Sequence, residues 1–128
     1  MNPELEALAR RAVVCKHWRW IEGMLTERGD RVASVEHDSL IVLDEEFEIV
    51  ELTDGKAIPD FRDHATVGCL LMLVREAHNA PHAWVETRYG QRSRVVSPEG
   101  YSEGTKMLCH WQVGTEAAAL VAALEGAP

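Results

Sequence analysis

Residues Pro59 to Ala77 constrain this chain more than any other stretch, because they read as a capped helix that is apolar almost all the way round. Asp60 and Asp63 both suit the N-cap, where a short carboxylate accepts the free backbone N–H groups of the first turn. Val67, Leu70, Leu71, Val74 and Ala77 follow the i, i+3, i+4, i+7 spacing, and Cys69, Met72 and Leu73 widen the stripe. A narrow stripe satisfies one contact. This width asks for burial on more than one side, so it predicts a central, buried helix, the most enclosed of the chain.

The flanking segments fill in the architecture. Asn2 caps a first helix with Pro3 at its first position, and Leu5, Leu8, Ala9 and Ala12 give it a narrow apolar side. Trp18, Trp20 and Met24-Leu25 lead as extended chain into the turn Arg28-Gly29-Asp30, and Arg31 to Val35 leads out of it. Leu40 to Leu43 and Phe47 to Leu52 read as further strands between turn signals. Beyond Asn79-Ala80-Pro81, Ala83 to Tyr89 and Arg92 to Val96 flank Gly90-Gln91, which suits a two-residue type II′ hairpin. That register sets Tyr89 opposite Arg92 and Thr87 opposite Arg94, with Trp84, Glu86 and Arg88 on the other face. Lys106 to Val113 alternates, with Met107, Cys109, Trp111 and Val113 sharing a core-facing side. Thr115 then caps a last helix whose stripe is Ala117, Leu120, Val121 and Leu124. Strands joined by short turns are antiparallel, and helices must cover them. The expected fold is α+β, a single-domain sandwich over residues 1–128, with an antiparallel sheet and three helices: N-terminal, central buried and C-terminal.

Charge narrows the possible partners. The net charge of −8 is concentrated early: residues 1–63 hold 15 acids and 8 bases, whereas residues 64–128 hold 6 acids and 5 bases. A polyanion repels such a chain, so direct nucleic-acid binding through a broad basic face is disfavoured; a basic protein partner and mimicry of a polyanion stay open, beside the plain reading that acidity keeps the chain in solution. The three cysteines are widely spaced among apolar residues, the usage of a reducing compartment. The N-terminus lacks the pattern of a signal peptide, and no apolar run is long enough to span a bilayer. The expected location is cytoplasmic.

Catalytic signatures are sparse. Cys15-Lys16-His17, His78 with His82, and Cys109-His110 are the dense spots for metal ligands, but no Cys-x-x-Cys occurs and Pro81 interrupts the one His pair of His-x-x-x-His spacing. Cys109 and His110 tempt as nucleophile and base, yet neighbours on a strand point to opposite faces. Gly100 to Gly104 matches no phosphate-binding loop. The expectation is a protein that is not an enzyme and carries neither metal nor cofactor.

Two surface features remain. Asp44, Glu45, Glu46, Glu48 and Glu51 crowd five carboxylates into eight residues, which makes either a negative contact surface for a basic protein or a solvated edge that resists aggregation. Arg88, Tyr89, Arg92 and Arg94 gather at the hairpin tip, as hot spots for a partner, as ligands for a nucleotide phosphate, or as cross-strand partners of Glu86.

The layout also carries a resemblance. The early Trp18-Arg19-Trp20 with Gly23-Met24, the helix from Pro59 to Ala77, the following antiparallel segment and Gly-rich loop, and the ending Gly114 to Leu124 resemble small phage and prophage proteins of the ABA-sandwich kind. The resemblance implies a viral or mobile-element setting and no catalytic residue. With it, the leading expectation is an accessory protein that binds a host or defence protein, as an anti-defence inhibitor. The alternatives are an oligomeric nucleotide-binding protein, and a phage structural or regulatory protein with no ligand.

Overall fold

In the computed structural model the chain forms α1 (Pro3–Val13), β1 (Arg31–Glu36), β2 (Ser39–Leu43), β3 (Ile49–Thr53), α2 (His64–Ala77), β4 (Trp84–Arg88), β5 (Arg92–Pro98), β6 (Thr105–Val113) and α3 (Glu116–Glu125). The structure describes residues 1–36, 39–44, 46, 48–53, 57–88, 91–98 and 104–128, with only the backbone of residues 52 and 53. Among them the fold is α+β: three helices and two three-stranded antiparallel sheets, ordered β1-β2-β3 and β4-β5-β6. The chain gathers into two compact units, Met1–Val13 with Arg19–Cys69, and Val14–Trp18 with Leu70–Pro128. Helix α2 begins in the first and ends in the second.

In the first unit, Asn2 does cap α1: its Oδ1 accepts the Leu5 N–H at 2.8 Å, and Leu8, Ala9 and Ala12 are buried. Strand β2 is central in its sheet, and alternation puts Leu40 and Val42 inside with Val32 of β1. The extended reading of Trp18 to Leu25 does not hold. Only isolated bridges join Leu25 to Arg31 and Thr26 to Pro59. Gly23 takes a positive φ of 96°, which turns the chain out of ladder geometry. The fully buried Met24 therefore enters the core from a loop.

Of the two candidate caps, Asp63 starts α2. Its Oδ2 accepts the Thr66 N–H at 3.0 Å, the Thr66 hydroxyl at 2.8 Å and Arg31 Nη1 at 2.8 Å, while Thr66 Oγ1 accepts the Leu25 N–H at 2.8 Å. One carboxylate thus ties the helix start to β1 and the preceding loop. Burial pushes the Asp63 carboxyl up, but the hydrogen bonds from Arg31 and Thr66 outweigh it and hold its pKa below the ordinary value. Asp60 turns instead to Arg62, which donates from its backbone N–H and twice from its guanidinium; that hydrogen bonding holds the Asp60 pKa down against burial.

In the second unit α3 covers the β4-β5-β6 sheet. Its alanines let the helix approach closely, and Ala117, Ala119, Leu120, Val121, Ala123 and Leu124 are all buried. This reverses the expected ranking of the helices. Helix α2 buries Thr66, Leu70, Leu73 and Val74, but Met72 is 54% exposed, so α3 is the more enclosed. Apolar composition alone overestimated the envelopment of α2.

Candidate functional site

The β4–β5 hairpin pairs one residue out of the expected register. Arg88 faces Arg92, Thr87 faces Ser93, Glu86 faces Arg94, and Trp84 faces Val96. Three residues therefore separate the last paired residues, Arg88 and Arg92, where two were expected. A one-residue slip exchanges the faces of a strand. It brings Arg92 and Arg94 onto the side of Glu86 and Arg88, where the sequence pattern had set them apart. The slip has a physical reason: it pairs Glu86 with Arg94, and Val85 and Thr87 with the buried Val95 and Ser93.

Strand β6 departs from alternation as well. Ser93 pairs with Gln112, Val95 with Cys109 and Val96 with Met107, so β6 carries extra residues at two bulges. The bulges split the expected core-facing row. Cys109 turns toward α3, where its Sγ donates to the Ala119 carbonyl at 3.3 Å. Met107, Trp111 and Val113 come to the opposite, arginine-bearing face, with Met107 43% and Val113 77% exposed.

The result is a built arrangement of cations around one ring. The Arg94 guanidinium lies 4.7 Å and that of Arg88 5.4 Å from the Trp111 ring centroid, both within cation–π range. Glu86 anchors Arg94 by contacts of 2.9 Å from Nε and 2.8 Å from Nη2 to Oε2. Its other oxygen, Oε1, reaches Arg88 only at 3.4 Å, longer than a good charge-assisted bond. Arg94 Nη1 also points to the Met107 sulfur at 3.4 Å. Beside this group Arg88, Gln91, Arg92 and Trp111 line a pocket of about 230 Å³. Arg92 is exposed, and no carboxylate among the described residues lies within ion-pair distance of it. Tyr89, expected here too, lies outside the described residues.

The acidic cluster divides differently. Asp44 is a turn staple: its Oδ1 accepts the N–H groups of Glu46 and Glu48, each at 2.9 Å. Glu46, Glu48 and Glu51 are exposed, and Glu51 accepts the Ser39 hydroxyl at 2.8 Å. Glu45 lies outside the described residues. The cluster borders Ile49, which is 73% exposed.

The remaining candidates stay apart. His78 Nε2 sits 2.7 Å from the Ala123 carbonyl and His17 Nε2 2.8 Å from that of Pro128. Among the described residues no three His, Cys, Asp or Glu side chains converge as metal ligands. Burial pushes the thiols of Cys69 and Cys109 up, away from the thiolate form a nucleophile needs. Among the described residues no helix is long and apolar enough to cross a membrane.

Trp111 was legible as an aromatic and the arginines as a cluster; their meeting depended on the register and the bulges, for which the sequence carries no strong signal. Compared with known proteins, the chain matches no family model, no curated protein and no solved structure.

Proposed function

We propose that this chain works by binding, and that its ligand is a mononucleotide-like molecule: a phosphate held between Arg88 and Arg92, with a planar ring against Trp111. One observation carries the reading. Arg88 and Arg92 stand directly opposite each other across the hairpin at the pocket, and like charges so placed destabilise a sheet. Local rules are broken in this way chiefly where function demands it. An anion between the two guanidiniums removes the repulsion, and Arg presents the planar fork that phosphate oxygens fit. The volume limits the ligand: about 230 Å³ falls below the ~300–1,000 Å³ of pockets that enclose drug-sized molecules. A phosphate and part of one ring would be covered, with the remainder outside.

Calorimetric titration tests this with adenosine monophosphate, adenosine and inorganic phosphate. The monophosphate should bind more tightly than either half alone, and Arg92→Ala should weaken it by at least about tenfold. Equal affinity for wild type and Arg92→Ala would remove the pocket from the account.

A second reading is that Glu46, Glu48 and Glu51 engage a basic surface on a host or defence protein, in the phage setting the resemblance implies. It is supported by the exposed apolar Ile49 beside exposed, like-signed charges. Reversing the three carboxylates should abolish capture of such a partner, and raised salt should do the same.

A further inference from the structure

We infer that Glu86 is a built-in competitor for the anion, and that it sets the affinity of the arginine pocket; this rests on the pocket reading above. Glu86 lies two cross-strand pairs inward from Arg88 and Arg92, on the same face and directly opposite Arg94. Its two oxygens do different work. Oε2 takes both Arg94 contacts and so keeps that guanidinium over Trp111. Among the described residues Oε1 faces Arg88 alone, at 3.4 Å. Arg94 is therefore committed and Arg88 is shared.

An incoming phosphate must draw Arg88 away from Glu86, and it approaches a carboxylate that repels it. Both effects act against binding, and both scale with the single charge of Glu86. Arg94, by contrast, is a positioning residue: 21% of its side chain is exposed, its charge is met by Glu86, and its guanidinium lies over the ring. The free pocket thus carries an internal anion in the place where an external one would act, which keeps Arg88 ordered when the ligand is absent. The expected consequence is a site tuned to release its ligand readily, with Arg92 supplying the uncompensated attraction.

Glu86→Gln tests this, because glutamine keeps the length and an acceptor oxygen for Arg94 while removing the charge. Titrated with adenosine monophosphate, Glu86→Gln should bind about two- to fivefold more tightly than wild type, the scale of one exposed charge pair. Its affinity should also fall more steeply with salt, since the pocket then carries one more uncompensated positive charge. Glu86→Asp keeps the charge and should show no tightening. Far-UV circular dichroism and the melting midpoint check that both variants are folded. If Glu86→Gln binds no better than a wild type that does bind, or if Glu86→Asp tightens binding equally, Glu86 does not compete and the inference falls while the pocket stands. If wild type fails to bind the monophosphate at all, the pocket reading itself falls.

Discussion

The two sheets share a topology and use it in opposite ways. Each is a three-stranded antiparallel meander whose middle strand carries buried residues, alternately in β2 and consecutively from Val95 to Ser97 in β5. Around β2–β3 the charges are of one sign, lie at the edge, and are spent partly on the turn through Asp44. On the β4–β6 sheet, charges of both signs are grouped over an aromatic ring, with one like-charged pair left at the tip. The first pattern leaves Glu46, Glu48 and Glu51 exposed, where water can reach them. The second has an electrostatic deficit that an anion would fill, and it is this difference, more than the number of charges, that separates a solvated surface from a candidate site.

The largest expected effects lie in the buried faces of the helices. Leu70→Ala and Leu120→Ala each remove a fully buried side chain and should cost about 2–5 kcal/mol in denaturant unfolding. Leu71→Ala, only half-buried, should cost clearly less; equal losses would mean that the two faces of α2 are not distinguished as described. Next comes Asp63→Ala, which strips α2 of its cap and leaves the Thr66 N–H and hydroxyl without their acceptor, while Arg31 keeps the Gly23 carbonyl. A loss of about 1–3 kcal/mol is expected, with little of it from the ion pair because Arg31 is well exposed.

The same residue gives a pH signature. Because its folded pKa is lowered, the stabilisation from Asp63 is fully present above the ordinary carboxylate value of about 4 and is lost as the pH falls through the folded value. Wild type should therefore lose more stability on acidification than Asp63→Ala, measured by melting at a series of pH values. A parallel decline of the two would remove Asp63 from the acid response.

The smallest effects sharpen the contrast between the sheets. Arg92→Glu replaces a repelling cross-strand pair by an attracting one and should stabilise the domain by about 0.2–1 kcal/mol, while abolishing anion binding. Glu51→Lys in the other sheet should change stability by no more than about 0.5 kcal/mol. If Arg92→Glu is neutral or destabilising, Arg88 and Arg92 do not repel, and the two surfaces are of one kind.

What the sequence disclosed followed from local chemistry. The cap at Asn2, the helix from His64 and the antiparallel strands were readable because capping, periodicity and turn residues act over a few positions. The candidate site was only half readable. Arg88, Arg92 and Arg94 could be singled out from sequence, but Trp111 could not be joined to them. Its i, i+2 spacing from Cys109 signals a shared face, and only a bulge sends the two to opposite sides. Likewise Gly90-Gln91 suggested a tight hairpin, whereas the pairing of Glu86 with Arg94 belongs to a register one residue away. Register is decided by the sum of many cross-strand contacts, so one turn dipeptide is a poor guide to it.

The bulge between Cys109 and Trp111 has a consequence for how such a surface can diversify. It places Cys109, which packs on α3, and Trp111, which lines the pocket, on opposite sides of a single strand. Val95 and Cys109 answer to α3; Arg92, Arg94 and Trp111 answer to whatever arrives from outside. If the pocket binds as proposed, the ring or the cations can be exchanged for others, and the ligand with them, while the residues facing α3 stay as they are.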